Sequence, residues 1–207
     1  MTALRHLALF LLAVMVPCFA NAAEAIVPQN IGANEVLRGR FVQERHLTGF
    51  KNTLRSEGRF VLAPSHGLIW QAETPFAMIT IMTTSGLAQE VNGSQTLRLQ
   101  TTQIPFLARL YDIVGGALAG DWSKLDTDFT VSRSEGSNGW KVFLTPRKAD
   151  DLAMPFHSIN VSGHRFVEAV TLTKPDGDFD QLTFLDQVLS ATPLAEAEAT
   201  AFGSVEK

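Results

Sequence analysis

Between Arg55 and Gln100, turn-forming residues recur every few positions, and the intervals suit short strands better than helices. The breaks fall at Pro64-Ser65-His66-Gly67, at Glu73-Thr74-Pro75 and at Asn92-Gly93. Proline fixes φ at a turn, and glycine after asparagine is the strongest short hairpin signal. The segments between them are Gly58–Leu62, Gly67–Gln71 and Phe76–Thr83. The two-residue period of a strand puts Phe60 with Leu62, and Leu68 with Trp70, on shared faces. The run from Phe76 is apolar on both sides, with Phe76, Met78 and Met82 on one face and Ala77, Ile79 and Ile81 on the other. After the hairpin, Thr96 to Gln100 alternates cleanly, with Leu97 and Leu99 inward. This sheet offers more apolar surface than one covering helix needs, which points to the holding of a greasy ligand.

The period then lengthens. From Ile104 to Leu118 the apolar residues Phe106, Leu107, Leu110, Tyr111, Val114, Ala117 and Leu118 form one broad helical face. Thr102 is placed to cap that helix, and Pro105 is tolerated in its first turn. Gly115, Gly116 and Gly120 weaken its end by roughly 1 kcal/mol each relative to alanine. The helix is expected to pack over an apolar face of the sheet as a lid, above a cavity of roughly 300 Å³ or more. The residues expected to line it are Phe41, Phe60, Leu62, Trp70, Met78, Met82, Leu97, Leu99, Phe106, Leu110 and Val114. Methionine adapts to varied apolar shapes, which suits such a site.

Other strands are predicted at Gly39–Leu47, Asp128–Val131, Trp140–Leu144, Ser158–Val161, Phe166–Lys174 and Phe179–Leu185. The last two form a hairpin through Pro175-Asp176-Gly177-Asp178. Pro146 to Pro155 is a charged excursion, and the alanine- and glutamate-rich tail from Leu194 is a short helix or frayed. With no repeat and no linker, residues 23–207 are expected to form one domain.

The first 22 residues have the three parts of a secretory signal peptide. Arg5 supplies the charge, Leu7–Val16 the apolar run, and Ala20-Asn21-Ala22 the small-residue cleavage site. The run is shorter than the roughly 20 residues that a bilayer requires. The only cysteine, Cys18, lies inside the segment to be removed, so the mature chain is expected to lack disulfides and lipidation. Against 21 acidic residues stand 17 basic ones, and without Arg5 the net charge is −5. A mildly acidic chain with no basic run suits neither nucleic acid nor an anionic membrane. The five histidines sit in separate segments without metal-ligand spacing, and no nucleophile–base set is legible, so neither a cofactor nor catalysis is expected. Asp176-x-Asp178-x-Asp180 has no glycine at the sixth calcium-loop position and reads as an acidic hairpin turn.

Several motifs together resemble the LolA family of periplasmic outer-membrane lipoprotein carriers. They are Gly39-Arg-Phe41-Val-Gln43, Glu57-Gly58-Arg59-Phe60, Trp70 with Pro75, Trp140-x-x-x-Leu144-x-Pro146-Arg147-Lys148, and Asp176-Gly177 followed by Phe184. Each is weak alone, but their order covers about residues 38–187. The resemblance implies an α+β, mainly β fold, an incomplete and strongly curved antiparallel barrel covered by a helical lid. It also implies a periplasmic carrier of acyl chains, taking cargo from an inner-membrane exporter to an outer-membrane acceptor. The family pattern places an arginine before the proline of the turn that follows the second strand, where it latches the lid; here the turn reads Leu62-Ala63-Pro64. That departure implies a divergent member whose lid is open or mobile without ligand. Its cargo is then a lipoprotein or related lipid; a polyene-type pigment or glycolipid carrier, or a non-transporting interaction module, is the alternative.

Overall fold

In the computed structural model, residues 28–103, 106–122, 125–147, 156–191 and 193–206 are described. The signal-peptide segment with Cys18, and most of the charged excursion after Pro146, lie outside them. The first half of the sheet comprises β1 (Val36–His46), β2 (Leu54–Ala63), β3 (Gly67–Thr74), β4 (Met78–Met82), β5 (Gly86–Val91) and β6 (Ser94–Gln100). The second half comprises β7 (Phe129–Gly136), β8 (Gly139–Pro146), β9 (Ser158–Gly163), β10 (Val167–Thr173) and β11 (Phe179–Ser190). All neighbours are antiparallel, in the order β6-β5-β4-β3-β2-β1-β11-β10-β9-β8-β7. The two meanders meet where β1 pairs with β11, and the curled sheet remains open between β6 and β7. Helix α1 (Phe106–Ala119) joins those two edge strands, and α2 (Glu196–Glu206) follows β11. The fold is therefore mainly β, an incomplete antiparallel barrel with a helix over its concave face.

The centre of the sheet is fixed by a short sequence used twice. Gly39-Arg40-Phe41 in β1 pairs antiparallel with Gly58-Arg59-Phe60 in β2, so that Gly39 faces Phe60, Arg40 faces Arg59 and Phe41 faces Gly58. Across the β1–β2 pairing each phenylalanine thus lies opposite a glycine, while on its other side Phe41 pairs with Phe184 and Phe60 with Trp70. A Cβ on Gly39 would come within 2.7 Å of the Phe60 ring. One on Gly58 would lie 1.9 Å from the Gln71 carbonyl oxygen. Phe41 stacks on Trp70 with ring centroids 3.8 Å apart, and Phe184 meets Phe60 edge-on at 5.4 Å. Such aromatic pairs add about 0.5–1.5 kcal/mol each beyond the area that they bury.

The convex face of the first half is also apolar, and α2 covers part of it. Val36, Ala63, Ile69, Ile81 and Ala88 form a second buried cluster with Phe202 and Val205 of that helix. This accounts for the strand that is apolar on both faces: Ile79 and Ile81 look towards α2, whereas Met78 and Met82 pack against the concave core. Phe76 does not belong to that strand. It is 80% exposed, because the Thr74-Pro75 turn precedes it and β4 starts only at Met78. The carboxylates of Asp176 and Asp178 are both occupied, Asp176 accepting from the Asp178 amide within the hairpin turn and Asp178 from the Thr48 amide of the β1–β2 loop at 2.7 Å.

Arg38 on β1 grips Glu198 through Nε and Nη2, at 2.8 and 2.6 Å. Glu198 also accepts from the Ala195 amide at 2.8 Å, which caps the helix start. The Arg38 hydrogen bond, more than any other influence, holds the Glu198 carboxyl below its ordinary value of 4.5, against a smaller opposing effect of burial.

Two expectations follow. Gly58→Ala should lower the melting temperature by roughly 4–10 °C, the consequence of about 2 kcal/mol or more of overpacking. Gly136→Ala, at a position with open space for a Cβ, should change it by less than about 2 °C. The Glu198 carboxyl is held low in the folded protein, so its stabilisation is complete above pH 4.5 and is lost as pH falls through the lower folded value. Acid unfolding followed by circular dichroism should therefore show a shallower stability loss below pH 4.5 in Glu198→Gln than in the parent.

Candidate functional site

Under α1 the concave face keeps a cavity of about 230 Å³. Trp70, Thr80 and Met82 line it from the first half of the sheet, with Gln43 from β1. Leu144, Ile159, Val161, Val170, Leu172, Leu182 and Phe184 line it from the second half. The roof is Ile113, Val114, Ala117 and Leu118. Only Gln43 and Thr80 are polar, and both side chains have partners. Thr80 Oγ1 accepts from Gln89 Nε2 at 3.3 Å, and Gln43 Nε2 donates to Asp180 at 3.2 Å. Asp180 is itself buried, held by Arg45 at 2.7 Å and Lys174 at 3.7 Å. A group of paired charges therefore sits beside Gln43, while the rest of the wall is hydrocarbon and aromatic. Among the described residues, no three His, Cys, Asp or Glu side chains gather as metal ligands.

The cavity is smaller than the roughly 300 Å³ expected from the sequence. The aromatic cluster is the reason. Phe41, Phe60, Leu62 and Leu68 are almost wholly buried and fill the part of the concave face nearest β1 and β2. The space that remains lies further across, against β8 to β11.

Of the residues expected to line the site, Trp70, Met82 and Val114 meet at this cavity. Phe41, Phe60 and Leu62 lie in the buried core beside it, and Met78 packs half-buried against the same core. On the edge strand β6, Leu97 is 37% exposed and Leu99 half-buried, away from the cavity. Phe106 and Leu110 belong to the first turns of α1, whose side chains lie outside the described residues. The wall from the second half was missed. Its signal was present as the alternations Ile159/Val161, Val170/Leu172 and Leu182/Phe184, each with inward positions two apart.

The roof is fastened at both ends of its described face. At the end of α1, Gly120 adopts φ +72°, and the Asp121 and Gly120 amides bond back to Gly116 and Ala117 at 2.9 and 3.1 Å. This is a Schellman cap, which glycine allows at no steric cost. The Ala119 carbonyl left over accepts from the Ile31 amide at 2.8 Å. Earlier in the helix, the Tyr111 hydroxyl donates to the Pro64 carbonyl at 3.3 Å. The Leu62-Ala63-Pro64 turn, which offers no basic side chain to the lid, thus meets it through its backbone. A backbone carbonyl serves as acceptor there, so the missing arginine does not leave the turn unconnected to the lid.

A family model described as outer membrane lipoprotein carrier protein LolA-like matches residues 19–201. No sequence among the curated proteins matches the chain. Among solved structures, a LolA superfamily protein from Nitrosomonas europaea is similar at 10% identity and a TM-score of 0.43, covering 81% of this chain and 90% of the other. The Pseudomonas aeruginosa MucA/MucB complex gives 15% identity and a TM-score of 0.40, covering 80% of this chain and 57% of the other. LprF from Mycobacterium bovis gives 12% identity and a TM-score of 0.34, covering 77% and 87%.

Removing the roof's hydroxyl tie tests its importance. Tyr111→Phe should cost about 1 kcal/mol and raise hydrogen-exchange rates at residues 113–119 about fivefold, while the amides of β1 and β11 stay unchanged. Unaltered exchange in α1 would show that the bond to Pro64 does not hold the helix.

Proposed function

Because the chain belongs to the LolA-like family of outer membrane lipoprotein carrier proteins, we propose that it is a carrier that shelters acyl chains beneath α1. The observation that carries this reading is the wall of the cavity. Trp70, Met82, Val114, Leu172, Leu182 and Phe184 surround it, with only two polar side chains, both already partnered. Such a lining gains by taking hydrocarbon out of water and gives a polar substrate few groups to bond. On this reading the protein binds and releases rather than catalyses. Each CH₂ brought into the cavity contributes about 0.8 kcal/mol. A volume of 230 Å³ admits part of an acyl chain, so full sheltering requires α1 to move outward, lifting Ile113, Ala117 and Leu118 off the sheet.

The same reading makes residues 1–22 a secretory signal removed on export and residues 23–207 the working domain in the periplasm. No described helix is long and apolar enough to cross a membrane. Cargo would come from an inner-membrane exporter and pass towards an outer-membrane acceptor, as lipoprotein acyl chains or those of a related lipid.

Native mass spectrometry of protein recovered from its own periplasm tests the proposal directly. Lipid should co-purify with the parent protein. Val114→Phe, which fills the roof of the cavity, should lose at least tenfold in affinity for a fluorescent fatty-acid probe without a change in far-ultraviolet circular dichroism. Protein that carries no lipid and binds the probe equally well with and without the substitution is not a carrier of this kind.

A further inference from the structure

A larger cavity lies on the opposite face of the sheet. About 570 Å³ remains between α2 and the convex side of β1 to β4, within the range of small-molecule sites. The sequence of α2 explains why it is hollow. Phe202 and Val205, in the C-terminal half of the helix, fill the interface over Ala63, Ile81 and Ala88. The N-terminal half presents Ala197 and Ala201, one turn apart, above Val61, Ile69 and Ile79. The Arg38–Glu198 pair, at 2.6 Å, holds that half in place without filling the space below it. The helix is thus fastened at both ends with a gap between, floored by β-branched side chains and roofed by methyl groups.

The rim of this groove carries the two arginines of the repeated Gly-Arg-Phe motif. Arg40 and Arg59 are direct cross-strand partners, an arrangement that like charges make unfavourable unless shared with an anion. One carboxylate, that of Glu73, serves both, at 2.6 Å from Arg59 and 3.9 Å from Arg40. Both guanidiniums remain about half exposed. The pair therefore has more donors and more charge than Glu73 takes up. Asp186 stands on the same groove as a competing negative charge. It follows Leu185, the partner of Arg40 on β11, and its backbone has φ +52°.

We propose that this convex groove is a second binding site, for a single-chain amphiphile whose hydrocarbon lies under Ala197 and Ala201 and whose anionic head reaches Arg40 and Arg59. It is separate from the concave cavity and does not depend on the carrier reading of that cavity.

The test is an amide-shift titration of the ¹⁵N-labelled protein with decanoate, and with uncharged decyl maltoside for comparison, both below their micelle concentrations. Decanoate should shift Ile69, Ile79 and Ala201 in a saturable manner, at least fivefold more tightly than the maltoside. Arg59→Gln should remove most of that preference, and Asp186→Asn should strengthen it two- to fivefold. Ala201→Trp should abolish the shifts at the groove, and Ala197→Leu provides the milder filling variant should the tryptophan protein fail to fold. The proposal is wrong if decanoate leaves the groove amides unmoved, or if their response survives both filling variants. It is also wrong if the acid and the maltoside bind equally. The response of Val114 and Ile159 is read in the same spectra and bears on the concave cavity alone.

Discussion

The crossing of two Gly-Arg-Phe segments is the constraint on which the rest of the molecule depends. Because Gly39 and Gly58 each face a phenylalanine, two large rings enter the concave side beside the joint between the meanders without forcing β1 and β2 apart. Trp70 and Phe184 then close over them from β3 and β11. This packing decides where ligand space exists. It consumes the centre of the concave face and leaves the cavity displaced towards β8 to β11. By strand alternation the same pairing must put Arg40 and Arg59 together on the convex face, so a core-packing device also creates the paired cations there.

A strand apolar on both sides needs two covers, and the fold supplies one from each side of the sheet. The two covers differ in how they are held. Helix α1 combines buried residues at Ile113, Ala117 and Leu118 with backbone ties to Ile31 and Pro64. Helix α2 relies on two large side chains, one ion pair and a hydrogen bond from Arg98 Nη2 to the Val205 carbonyl at 2.7 Å. Partly exposed ion pairs contribute little individually, but a bidentate arginine–carboxylate fork fixes geometry as well as adding energy. The Arg38–Glu198 fork therefore sets the height of α2 over the sheet more than it sets stability.

Much of the fold was legible because its signals were local. Period-two alternation and turn chemistry placed the strands between Arg55 and Gln100, and the change of period after Ile104 placed the lid helix. The site was only partly legible, for a physical reason. A strand pattern says which residues share a face, but not how much of that face other side chains already occupy. Phe41, Phe60 and Leu62 were assigned to the concave face, and they are buried there, yet their neighbours leave no room for a ligand beside them. Leu97 alternates correctly but lies on the edge strand, where curvature takes it away from the core. The α2 cover was the least legible feature, since Glu196 to Glu206 has no strong amphipathic period. Phe202 and Val205 acquire meaning only from the sheet beneath them.

On the carrier reading, these two facts set the affinity together. A long acyl chain cannot be sheltered while α1 sits against the cavity, so binding exchanges one apolar burial for another. The gain per CH₂ is offset by uncovering Ile113, Ala117 and Leu118 and by breaking the bond from Tyr111 to Pro64. Net affinity is then the small difference between two burials of similar kind, the cost of opening being the same quantity that sets the fraction of protein with the roof closed. A fully preformed cavity would bind more tightly and release more slowly. The filled aromatic centre and the fastened roof therefore favour transfer over storage, because an acceptor has to outbid only that difference.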